Sequence, residues 1–252
     1  MFSFFGVKPR ILGLGSGLSQ AMGSLGRRER QLGWKHFLGV SGALITAAVV
    51  LSACSTAPQY TYVADTGDNA YFKVPPSWKQ VDQDRLAATQ ARLLGSSLAG
   101  PAGGELTWSR AYDAAAIPSA GHIFTTASEP VVYASVQAMN TAQRSGLSFD
   151  SMRNLLLPVT SLARQAAQRS GATFSGFQSI GDSVITNGDV RGVNELFGYN
   201  VGGVPELFDQ TVLTNSATTK LYLLLVQCDQ SCFVAHRDQI ATVVRSFTVR
   251  GS

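Results

Sequence analysis

Asn187-Gly188 lies between two long stretches that alternate apolar and polar residues, Phe174 to Ile185 and Val190 to Tyr199. An Asn-Gly pair so placed is the strongest short-range hairpin signal, because tight two-residue turns need a backbone that tolerates positive φ. Gly202-Gly203 makes a second turn into a strand from Leu207 to Leu213, and Leu221-Tyr-Leu-Leu-Leu-Val226 follows. This last run is apolar at successive positions, so both its faces must be covered, which places it in the middle of a sheet. The C-terminal half therefore reads as an antiparallel meander with a buried final strand.

The elements before and after the meander set the class. Tyr71-Phe72-Lys73-Val74 is a short strand stopped by Pro75-Pro76. Asp82 to Leu94 carries apolar residues at helical spacing, and the glycine-rich stretch from Gly95 to Gly104 is a loop. Leu106 to Tyr112 and Val131 to Val136 read as strands joined by a polar connection containing His122. Ser148 or Asp150 caps a helix running to Pro158, and Ser161 caps another ending near Gly171. At the C-terminus Ile240, Val243, Val244 and Phe247 form one helical stripe. This order describes an α+β fold, an antiparallel β-sheet flanked by helices, in a single domain expected over residues 70–252.

What precedes that domain has a different character. Arg27, Arg28, Arg30, Lys35 and His36 lead into an apolar run from Phe37 to Leu51, which ends in Leu51-Ser52-Ala53-Cys54. A positive n-region, a short apolar h-region and small residues at a cut site are the signature of a secretory signal. The run contains Gly39, Ser41, Gly42 and Thr46 and falls short of the roughly 20 apolar residues a membrane span needs. Residues 1–53 are thus read as a signal peptide, with Met22 an alternative start, and residues 54–69 as a flexible polar tether. Arg27-Arg28 is a weak twin-arginine match, since Glu29 and Arg30 follow.

Charge and cysteine count change meaning once the chain is divided there. The net charge of +4 belongs to the leader: residues 1–53 hold six Lys or Arg and one Glu, leaving 14 basic and 15 acidic residues beyond them, a net of −1. Without a basic cluster, the remainder lacks the electrostatic footprint of a nucleic-acid binder. Of three cysteines, Cys54 stands at the cut site, and Cys228 and Cys232 are an even pair that an oxidising compartment allows to form a small disulfide loop.

Leu51-Ser52-Ala53-Cys54 resembles the lipobox of bacterial lipoproteins, whose cysteine receives a diacylglyceryl thioether before a dedicated peptidase cuts on its amino side. The resemblance implies cleavage between Ala53 and Cys54, lipidation of Cys54, and a cell-membrane location on the extracytoplasmic face through the lipid anchor. Phe72-Lys-Val74-Pro-Pro-Ser-Trp78, the long meander and Val244-Arg-Ser-Phe247 resemble the PsbP-like fold, to which LpqN-type lipoproteins of actinobacterial cell envelopes belong. That resemblance implies an α/β/α sandwich with a non-catalytic binding or assembly role toward an envelope protein or a lipid. It supplies no catalytic residues and no cofactor.

The competing expectation is an envelope hydrolase or metal-dependent enzyme. No Gly-x-Ser-x-Gly elbow occurs, and a His-based triad must use His122 or His236. His122, in a Gly/Ser/Ala-rich connection, reads as a solvated loop residue. Cys228, Cys232 and His236 are equally spaced and could ligate a metal, although structural zinc takes four ligands and export favours the disulfide. Asp82 and Asp84 read as a solvated helix start. Trp78, Trp108, Tyr112 and Tyr133 read as core or sheet-face residues, or as a ligand groove if they share one exposed face.

Overall fold

The computed structural model describes residues 58–93, 105–123, 125–171 and 175–250. The signal segment with Ala53 and Cys54, the glycine-rich stretch from Gly95 to Gly104, and Phe174 lie outside the described residues. The domain is α+β, with two antiparallel sheets, six α-helices and one 3-10 helix (Ala120–Ile123) among the described residues.

Seven strands make the larger sheet. β3 (Lys79–Gln80), β4 (Glu105–Asp113), β5 (Val131–Ala138), β6 (Ser175–Asn187), β7 (Val190–Val201), β8 (Val204–Asn215) and β9 (Lys220–Asp229) stand in the order β3-β4-β5-β9-β8-β7-β6. β9 is the central strand, and Leu221 to Cys228 are buried without interruption. Alternation sends successive side chains to opposite faces, and each face has its own cover. Tyr222 clusters with Val136, Val190 and Leu213 of the same sheet and with Ala70, Phe247 and Val249. On the other face Gln227, two residues beyond Leu225, donates to the carbonyls of His122 and Thr125.

The first cover is the smaller sheet, in which β2 (Ala70–Val74) lies between β1 (Thr61–Asp65) and β10 (Thr248–Val249). Here the boundary expected at residue 70 moves. Thr61 to Asp65 form a strand paired residue for residue with β2, and Val63 is buried, so this part of the chain is no flexible tether. α1 (Gln83–Leu93) begins as expected, with the Asp82 carboxylate accepting from Arg85 N, which makes Asp82 a capping residue. α2 (Thr141–Gly146), an element the sequence reading lacks, is fixed by a capping box between Asn140 and Gln143.

α3 (Phe149–Arg153) starts at the expected Ser148 cap but ends five residues before Pro158. Asn154 stops it: its amide donates to Asp150 O and Thr160 Oγ1, while its carbonyl accepts from Val159 N and Thr160 N. The side chain thus offers the backbone a turn in place of another helical step. α4 (Ser161–Arg169) is capped by Thr160 in place of the expected Ser161. After β9 come α5 (Gln230–Ala235), capped by Asp229, and α6 (Arg237–Arg245), which buries Ile240 and Val243.

The hairpin turn is displaced by one residue. Asn187 pairs with Val190, so the loop is Gly188-Asp189, with positive φ at Gly188 only. This is the pattern of a type II′ turn, whereas Gly202 and Gly203, both at positive φ, suit type I′.

Within β7, Gly192 has no room for a side chain, because a Cβ there would stand 1.9 Å from Val212 O. Replacing Gly192 by Ala is expected to cost about 3 kcal/mol or more through strain in the β7–β8 ladder. Urea denaturation measures this, and a midpoint unchanged from the parent chain would refute the close packing described.

Candidate functional site

A concave part of the described surface lies where α3 and α4 meet the outer strands β6 and β7. A bulge in β6 creates it. The β6–β7 register shifts between Ser175 and Gln178 and again between Ser179 and Gly181. Gly176 sits at φ 67° with its α-carbon so close to Asn200 that a Cβ would fall 2.5 Å from that side chain. The positive φ favours glycine here, and beyond it Phe177 lies against Tyr199, with ring centroids 5.3 Å apart. Tyr199 donates its hydroxyl to Pro158 O, tying the strand to the segment between the helices. Arg164 of α4 lies 3.9 Å over the Phe177 ring and donates to Val159 O.

These groups enclose a recess of about 290 Å³ and border a wider groove of about 480 Å³, and Arg164 and Phe177 belong to both. The groove carries five charged side chains. Arg153 uses Nε and Nη2 on the Asp182 carboxylate and Nη1 on Asp150, at 3.0 to 3.2 Å. Asp182, Glu195 and Gln210 stand directly opposite one another across β6, β7 and β8. Gln210 donates to the carbonyls of Met152 and Arg153 and so fixes the end of α3.

Glu195 forms the floor and is only 3% exposed. Burial, and then the neighbouring Asp182 charge, push its carboxyl up to about 7, against the pull of Arg153 and Arg164. Its Oε2 and the adjacent Gln210 Oε1 are buried without a partner among the described residues. Glu206 on β8 is also fully buried, accepts from Ala127 N, and is pushed up to about 7 by burial.

His122 is not the solvated loop residue the sequence suggests. It is half-buried, and Nδ1 lies 2.7 Å from the carboxylate of Asp113, a fully buried residue that also accepts from Ala115 N and Ser119 N. This orients the imidazole as an acid–base histidine is oriented. No hydroxyl or thiol hydrogen-bonds Nε2 among the described residues.

The sulfurs of Cys228 and Cys232 lie 2.10 Å apart, at disulfide distance, linking the end of β9 to α5. His236 stands beside Glu129, with Nε2 3.5 Å from Oε2. No group of three or more His, Cys, Asp or Glu that could hold a metal occurs among the described residues. Trp78, Tyr112 and Tyr133 are buried in the core and Trp108 packs against it, so they do not form the shared exposed face that a groove would need.

No protein-family model matches the chain, and no curated protein matches it in sequence. Similar solved structures include the cyanobacterial PsbP of Synechocystis sp. PCC 6803, 13% identical over 79% of this chain and 99% of that one, with a TM-score of 0.45. The Ran-binding protein Mog1p of Saccharomyces cerevisiae is 7% identical over 76% of this chain and 96% of that one, with a TM-score of 0.40. LpqN of Mycobacterium tuberculosis, involved in cell envelope biogenesis, is 14% identical over 76% of this chain and 92% of that one, with a TM-score of 0.38.

The buried carboxylates give a signed pH dependence. Glu195 and Glu206 titrate near 7 when folded and near 4.5 when unfolded, so the folded state binds more protons between those values. Stability is expected to fall as pH rises from about 4.5 through about 7 and then to level off. Thermal unfolding at pH 5 and pH 8 measures the slope. Glu195→Gln is expected to flatten it, and an undiminished slope in that variant would exclude Glu195 as a source.

Proposed function

We propose that this chain is an exported lipoprotein, lipid-anchored through Cys54 on the extracytoplasmic face of a cell membrane, whose domain binds or assembles an envelope protein or lipid without catalysing a reaction. The observation that carries the binding role is the built recess between α4 and β6. A glycine bulge, an aromatic pair and a stacked arginine shape a concavity, and fold stability alone does not require one.

The anchoring part rests on the lipobox-like Leu51-Ser52-Ala53-Cys54 and on the cysteine count. With Cys228 and Cys232 at disulfide distance, Cys54 is the cysteine left over. No helix of the described residues is long and apolar enough to cross a membrane. A charge of −1 beyond residue 53 speaks for a protein or lipid partner and against nucleic acid.

The second reading is an envelope hydrolase, which the Asp113–His122 pair favours. It fails if the purified chain hydrolyses no generic ester or peptide substrate. It gains if such turnover exists and His122→Ala lowers it at least 100-fold.

Two measurements test the anchored reading. Cys54→Ala is expected to move the chain from the membrane to the soluble fraction of expressing cells and to abolish incorporation of labelled palmitate. Retention of the variant in the membrane would refute lipid anchoring. Without reductant, a thiol-reactive mass tag is expected to leave Cys228 and Cys232 unlabelled. Their reduction is expected to cost about 2 kcal/mol of stability, the size a small loop provides.

A further inference from the structure

We propose that the recess between α4 and the β6 bulge is a binding site for a small carboxylate whose compact apolar body lies against Phe177 and Tyr199, with the Arg164 guanidinium as its charge partner. The inference deepens the binding role proposed above and rests on it.

The two arginines of the site differ in what they have left to offer. Arg153 is committed, with Nε and Nη2 on Asp182 and Nη1 on Asp150. Arg164 donates to one backbone carbonyl, Val159 O, and makes no ion pair among the described residues. A guanidinium has five N–H donors in a planar fork that matches the two oxygens of a carboxylate. With its Cζ 3.9 Å from the Phe177 ring centroid, the guanidinium stands over the aromatic wall of the recess.

The walls define the rest of the ligand. Among the described residues the recess is lined by Pro158, Ala167, Phe177 and Tyr199, by the polar Gln168 and Ser175, and by the Gly176 backbone, with Arg164 the sole charged one. The acidic residues Asp150, Asp182 and Glu195 border the neighbouring groove and not the recess. A volume of about 290 Å³ limits the occupant to a small molecule or a single side chain. A positive charge beside an aromatic wall complements a carboxylate carried on a compact body and disfavours a cation. Gly176, at positive φ within the bulge, lines the recess with backbone alone.

Benzoate, benzamide and acetate separate the elements of this proposal. The full chain, purified in a nonionic detergent with 15N-labelled arginine, is titrated with each probe while the arginine side-chain N–H resonances are followed. Benzoate is expected to shift the Arg164 signal saturably, leave Arg153 in place, and bind at least ten-fold more tightly than either benzamide or acetate. Arg164→Gln is expected to weaken benzoate binding at least ten-fold, measured by calorimetry. Equal binding of benzamide would remove the charge requirement, and equal binding of acetate would remove the aromatic wall. Unchanged affinity in Arg164→Gln, or no Arg164 shift with benzoate, would overturn the site outright. Any of these failures leaves membrane release of Cys54→Ala unaffected, so the anchored reading stands or falls separately.

Discussion

Burial of β9 on both faces is the constraint from which the rest of this architecture follows. A strand whose side chains from Leu221 to Cys228 all leave water cannot lie at an edge, so β5 and β8 flank it, and two separate layers must cover it. One layer is the three-stranded sheet with Phe247. The other consists of α1, α3 and the chain around His122. With an apolar side chain worth roughly 1.5–3 kcal/mol on full burial, no other element of this chain gathers so much from so few residues. The strands farther from β9 meet progressively less cover, until most of β6 is exposed. That gradient is why a recess can open at the β6 end of the sheet and not at its centre.

Strong local signals were legible in the sequence. The continuous apolar run of β9, the meander, the strand ending at Pro75 and the C-terminal helix with Ile240 and Val243 read correctly, because burial pattern and backbone chemistry point the same way there, whereas Phe247 of the expected stripe lies beyond the helix end at Arg245. β1 was missed because only Val63 of its five residues is buried, which leaves no periodicity to see. The hairpin turn was placed one residue early because Asn187 is an acceptable strand end, and glycine at the first central position serves a II′ turn as well as the second serves I′. The early end of α3 depends on four hydrogen bonds from one asparagine, none of which its local sequence reveals.

The candidate site was much less legible than the fold. Arg164 and Phe177 meet across the break between α4 and β6, and Glu195 faces inward only because α3 lands on that side of β7. In an alternating strand a glutamate reads as a solvent-facing residue, and tertiary packing overrides that reading. Asp113 was invisible for a similar reason: nothing in a strand-terminal aspartate marks it as the group that organises the following loop and holds His122. Only Gly176 left a trace, as a glycine inside an alternating run, which is the usual sign of a bulge.

The position of β2 also governs when this domain can be complete. β2 takes one partner, β1, from just before it in the chain, but takes the other from the end of the chain, with Tyr71 opposite Thr248 and Ala70 opposite Val249. The smaller sheet therefore closes only when Thr248 and Val249 reach β2. Until then Ala70, Val136 and Tyr222, which that sheet helps to cover, remain partly open to solvent. Contacts this far apart in sequence close late, so the edge contributed by β10 is a late step in the folding of the domain and an early one to open.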